Sequence, residues 1–229
     1  PSKSAHENER YGHPKIQAVV RRAVSLWSAG EKVLLFCFYR ETARSLRDHI
    51  GREIEKATLA LAARKLGLDP ERNAGRLRDL FERVARRLAD EDSPFHRTLT
   101  AMLHKPLEAD EFAVLRPRAE ELTGLLAGYV RSPSFIARYI PFDIAEVRDA
   151  LVDGSTQARV ARAGAAALAR ALAERADASS MTMGARIEEF LRFAKELAER
   201  GVTPPAEDGG EARDPLTEYL EAVAVYVSP

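Results

Sequence analysis

The sequence predicts a mainly α-helical fold in which a bundle-like set of helices is attached to a partial α/β unit with one clear strand. Two observations predict it. Apolar residues recur at helical spacing along most of the 229 residues, and the one convincing strand is Lys32 to Phe38, whose run Val33-Leu34-Leu35-Phe36-Cys37-Phe38 is continuously apolar. A run without alternation is what a strand buried on both faces of a parallel sheet looks like. After about residue 55 no further strand pattern occurs, so the partners of that strand are expected elsewhere.

Taken in order, residues 1–12 are polar and aperiodic, and read as an arm or linker. From His13 the positions Ile16, Val19, Val20, Ala23, Val24 and Trp27 trace one helix face. Pro14 suits its first turn and Gly30 its stop. The strand Lys32 to Phe38 follows, then a helix with Leu46, Ile50 and Ile54 as its seam, continuing over 56–67 to Gly67. Residues 73–89 form the next helix, with Leu77, Leu80, Phe81, Val84 and Leu88 inward. Ser93-Pro94 places a cap and a first-turn proline before a short helix ending at His104.

Residues 108–129 are helical in pattern, with a break or kink at Pro117. Residues 131–142 carry two prolines and read as a connector. Asp143 is expected to cap a long, Ala-rich helix to about Ala176, bent near Asp153-Gly154. Residues 182–200 form another helix, with Ile187, Phe190, Leu191, Ala194 and Leu197 inward. Residues 201–213 are a loop, and Asp214-Pro215 opens a last helix whose tail, Ala224 to Val227, fits a strand equally well. No internal repeat is present, which argues against a solenoid.

Composition narrows the function classes. With 35 Lys+Arg against 35 Asp+Glu the formal charge is zero, so no overall basic excess advertises nucleic acid. No stretch approaches the roughly 20 apolar residues of a membrane helix. With no signal segment at the start, a cytoplasmic setting without a membrane partner is expected. The one cysteine, Cys37, makes no internal disulfide and is expected to be inert inside the strand. His6, His13, His49, His96 and His104 show no metal-ligand spacing. No side chain stands out as catalytic. The chain begins at Pro1 and stops at Ser228-Pro229 just after an apolar run, and is expected to be a piece of something larger.

The segment His13-Pro14-Lys15-Ile16, followed by Gly30-Glu31-Lys32-Val33-Leu34-Leu35-Phe36 and Cys37-Phe38-Tyr39-Arg40-Glu41-Thr42, resembles a known motif. It is similar to the entry to the second RecA-like lobe, the motif IV region, of superfamily 2 DEAD/DEAH-type helicases, particularly the Snf2-like branch. The resemblance covers about a fifth of the chain. It implies that residues 13–55 are part of that lobe, that 56–213 are a helical insertion, and that 214–229 return toward the lobe. It implies DNA, the remaining helicase lobes, ATP and Mg²⁺ as partners of the parent protein. No cofactor is expected in this piece, which has no G-x-x-x-x-G-K-[ST] loop and no Gln/Arg-rich segment.

Two groups are candidates for nucleic-acid contact. In the helicase-like arrangement Tyr39, Arg40 and Thr42 lie where a strand ends and a helix begins, a place that favours anions. Tyr39 offers a stacking surface, Arg40 a charge-assisted bond and Thr42 a hydroxyl. Alternatively, Thr42 is a cap, Arg40 a surface charge and Tyr39 a lid on the core. The second group is the stripe Arg76, Arg83 and Arg87, with Arg72 before it, in a segment (72–88) holding six arginines against two acids. Such a stripe can follow a phosphate backbone, or dock onto acids such as Glu91, Asp92, Glu120 and Glu121. The connector at Phe135, Ile136, Arg138, Tyr139 and Ile140 mixes aromatics with charge, but is better placed to anchor onto the core. A rival from another class is a helical protein-protein interaction module, and a further one a stand-alone α/β regulator.

Overall fold

A computed structural model of the chain describes residues 14–30, 33, 35–176, 180–200 and 214–227. The expected arm at 1–12 and loop at 201–213 lie outside them, as do Lys32 and Leu34 of the expected strand. Among the described residues all regular structure is helical, in ten α-helices and two 3₁₀ segments. The mainly helical class holds.

The strand is the main correction. Val33 and residues 35–38 have no regular structure, and Phe36 and Phe38 are 90% and 94% exposed. Strand hydrogen bonds run to neighbouring strands, and the described residues supply none. The partial α/β unit is therefore not formed among them. In consequence Cys37 is half-buried in an irregular segment, not enclosed in a sheet.

The helices on either side follow their local signals. Helix α1 (Pro14–Ser28) carries its proline in the first turn, and Gly30 ends it at φ +89. Helix α2 (Arg40–Leu66) runs unbroken through the expected boundary at residue 55. It closes on Gly67 in the left-handed region, with Leu68 N–H bonded to Ala63 O at 2.8 Å and Gly67 N–H to Arg64 O at 3.3 Å. Those two bonds satisfy carbonyls that a helix end leaves open. Helix α3 (Ala74–Ala89) buries Leu77, Leu80, Phe81, Val84 and Leu88, the face read from the sequence. Helix α4 (Pro94–His104) starts where expected, the Ser93 hydroxyl accepting Phe95 N–H at 3.2 Å.

Three expectations change in the second half. Residues 108–129 are not one helix with a kink: 3₁₀ segments occupy Lys105–Glu108 and Asp110–Arg118, and helix α5 begins only at Ala119 (Ala119–Arg131). Pro117 removes an α-helical N–H and crowds the preceding turn, so regular winding starts after it. The connector contains a short helix, α6 (Pro133–Tyr139), capped by the Ser132 hydroxyl and anchored through buried Phe135, Ile136 and Ala137. The single helix from 143 to 176 is two, α7 (Ala145–Leu151) and α8 (Ala158–Glu174), separated by a turn with Gly154 at φ +82. Asp143 does not cap α7. Both its carboxylate oxygens accept from Arg175, at 2.9 Å each.

Helix α7 lies directly on α8. A Cβ on Gly164 would sit 2.7 Å from Ala150 Cβ and 2.7 Å from Glu146 O, so only glycine permits this approach. Helix α9 (Met183–Glu199) is capped by Thr182 and buries Ile187, Leu191, Ala194 and Leu197. Helix α10 (Pro215–Val227) includes 224–227, which are helical and not a strand. Asp214 accepts the N–H groups of Leu216 (2.9 Å) and Thr217 (3.2 Å), and Arg118 reaches its carboxylate at 3.3 Å. One apolar core runs from Leu59, in the second half of α2, to Leu220 in α10; Val20, Ala23 and Leu46 are buried apart from it.

Candidate nucleic-acid interface

Tyr39 stands immediately before α2 in an extended conformation (φ −105, ψ 133), and its side chain makes no capping bond. It is 69% exposed, so it does not close over the core. Its ring meets Phe38 edge-on at 5.1 Å. Arg40 is exposed and Thr42 half-buried in the first turn. Thr42 lies inside the helix, so it is not the cap. These three residues are thus presented beside the exposed Phe36 and Phe38, at the start of a 27-residue helix.

The arginine stripe occupies the flank of α3 next to its buried face, because steps of seven and four residues return to one side of a 3.6-residue helix. Arg76 and Arg83 are exposed. Neither has an ion-pair partner among the described residues. Other arginines do: Arg78 pairs with Glu55 at 2.8 Å, and Arg118 with Glu121 at 2.6 Å. Of the four acids nominated as docking partners, Glu121 is therefore engaged by Arg118 and not by the stripe. Arg87 is half-buried and donates to the Ala150 carbonyl, tying α3 to the end of α7. Arg72 precedes the helix and is exposed.

The stripe is thus gathered on one helix flank, and Tyr39, Arg40 and Thr42 on another helix. The Glu55–Arg78 pair joins α2 to α3. From Arg40 to Glu55 the helix extends about 22 Å at 1.5 Å per residue.

The connector residues are occupied within the fold. Phe135, Ile136 and Ile140 are buried, and the Tyr139 ring lies 5.0 Å from Phe135. The Arg138 guanidinium stacks 4.0 Å over Trp27 and donates to the Trp27 carbonyl at 2.5 Å. This fixes α1 to α6.

One group with a shifted pKa escaped the sequence reading. Lys65 Nζ donates to Arg138 O at 2.5 Å and Ile140 O at 3.4 Å. Burial brings its pKa down from 10.5 to about 8, against the opposing attraction of Asp143, with Arg175 and Arg64 lowering it further. No local motif marks it, because its surroundings come from residues more than seventy positions away. Among the described residues no group of three His, Cys, Asp or Glu could hold a metal, and no helix is long and apolar enough to cross a membrane. No protein-family model, curated protein or solved structure matches the chain.

Proposed function

We propose that the chain is part of an ATP-driven DNA helicase or translocase resembling superfamily 2, Snf2-like motors. In this role it contributes nucleic-acid contact and lobe geometry, not ATP hydrolysis. The observation that supports this most is the exposure of Phe36 and Phe38 in a run with the composition of a buried strand, leading straight into Tyr39 and Arg40. A strand of this kind is completed only by a sheet, which the remaining lobe would provide. The sequence has no G-x-x-x-x-G-K-[ST] phosphate loop, so in this role ATP and Mg²⁺ belong to the remaining lobes of the parent motor. Arg76 and Arg83, which form no ion pair among the described residues, supply the DNA contact, as point charges along one flank of α3.

Fluorescence anisotropy of the whole chain with labelled duplex DNA, across a salt series, tests the reading. Counterion release gives log K a slope of about −0.9 per phosphate neutralised. Arg76→Gln/Arg83→Gln should therefore weaken binding and flatten the slope by about two. No binding at low salt would sink the DNA role and favour the helical protein-interaction module, for which the same aromatic segment offers a surface. ATP turnover by this chain alone would contradict the division of labour.

A further inference from the structure

Three guanidinium groups line a cleft of about 620 Å³, where α3 ends and both α4 and α8 begin. They are Arg87, Arg97 and Arg162. Each donates to a backbone carbonyl: Arg87 to Ala150, Arg97 to Asp92 at 2.8 Å, and Arg162 to Ala158 at 3.2 Å. A guanidinium has five N–H donors in a planar fork, so each keeps donors to spare. None of the three forms an ion pair among the described residues. Lining one cleft, the three guanidinium groups can attract the same anion together.

The remaining wall suits an oxyanion. Ser155 and Thr156 contribute hydroxyl groups, and the first turn of α8 opens on the cleft through Ala158 and Ala161. Gln157, at the cap position of that 17-residue helix, makes no side-chain bond to the first turn. Its N–H groups and the positive end of the helix dipole thus add to the arginines. Gly154 brings the turn over Arg87: a Cβ there would lie 3.2 Å from the guanidinium, and its φ of +82 disfavours other residues. The turn that holds Arg87 therefore also delivers Ser155 and Thr156. Asp90 and Asp92 line the cleft too, which leaves it three positive against two negative side chains; the Asp90 carboxylate accepts Asp92 N–H at 3.1 Å.

We infer that this cleft binds a phosphate group. A tetrahedral phosphate uses forked guanidinium donors, hydroxyls and a helix start together. The same chemistry is offered by the backbone of a strand following Arg76 and Arg83 along α3, or by a free or terminal phosphate. The inference stands on the cleft's own residues and does not require the motor role.

Calorimetric titration of the whole chain with inorganic phosphate, at an ionic strength held constant with chloride, measures the site. Arg97 and Arg162 are both exposed, so Arg97→Gln/Arg162→Gln should fold, and its melting curve without phosphate checks that. Phosphate binding should weaken about tenfold or more in this variant, as expected on losing two charge-assisted contacts. Arg170→Gln, an exposed position of α8 outside the cleft, should bind as the parent does. An oligothymidine with and without a 5′-phosphate separates the sources. A gain from the 5′-phosphate assigns a terminal group, equal binding lost in the double variant assigns the strand backbone, and binding of inorganic phosphate alone assigns the free ion. The inference is overturned if phosphate binds no better than chloride, if the double variant binds as well as the parent, or if Arg170→Gln loses as much. Arg76 and Arg83 lie outside the cleft, so loss of DNA binding in their variant bears on the motor role alone.

Discussion

Lys65 shows how far the fold can change a single residue. Its ammonium sits near the end of α2 against two carbonyls, and burial leaves it with a pKa of about 8 where the unfolded chain has 10.5. Between those values the unfolded state binds more protons than the folded one. This group's contribution therefore makes the protein more stable as pH rises from about 8 to 10.5, and its penalty is fully present below 8. At pH 8 about half of the Lys65 side chains are neutral, whereas an ordinary lysine is almost wholly charged. Brief treatment with an amine-acylating reagent at pH 8, read by peptide mass spectrometry, should modify Lys65 ahead of other lysines. Labelling at the common rate would show that the shift is absent. The sequence could not have disclosed this, since Lys65 looks like any helix-ending lysine until the distant residues around Arg138 and Ile140 fold over it and bury it.

At the scale of elements, the α7–α8 contact makes a prediction of opposite signs. Glycine inside a helix ordinarily costs about 1 kcal/mol relative to alanine. Gly51, exposed in α2 with nothing within 4 Å of an added Cβ, should follow that rule, and Gly51→Ala should stabilise by about 0.5–1 kcal/mol. Gly164→Ala should instead destabilise by about 1–3 kcal/mol, because its Cβ would meet the Glu146 carbonyl and Ala150. Urea denaturation of both variants checks the pair, and stabilisation by Gly164→Ala would mean that α7 and α8 are not in such close contact. Helix faces such as Leu77 to Leu88 were legible because they obey a local period. The division at 152–157 was not: Gly154 signals a bend, but only the packing of α7 back on α8 decides that it is a full turn. Pro117 was read correctly as a disruption, while the 3₁₀ winding before it has no periodic signature of its own.

For the molecule as a whole, the core begins at Leu59 and omits the segment that looks most core-like in the sequence. Phe36→Ser/Phe38→Ser should therefore change stability by no more than about 0.5 kcal/mol, as for substitutions on a solvated surface. Phe135→Ala, at a fully buried position, should cost about 3–5 kcal/mol. Equal losses in the two variants, measured by chemical denaturation, would show that the aromatic segment is part of the core. The arginine stripe was visible as spacing, but its lack of ion pairs among the described residues was not, since that depends on which acids the fold brings near. The phosphate cleft was hidden for the same reason: Arg87, Arg97 and Arg162 belong to three different helices. The exposed run before α2 has one more consequence, for how the chain is cut. A protease that cleaves after aromatic residues finds Phe36 and Phe38 on irregular, accessible backbone, so nicking is expected there before anywhere in the helices. The two pieces would stay associated through Val20, Ala23 and the Trp27–Arg138 stack until denaturant parts them, leaving a fragment from Tyr39 onward that retains the entire core.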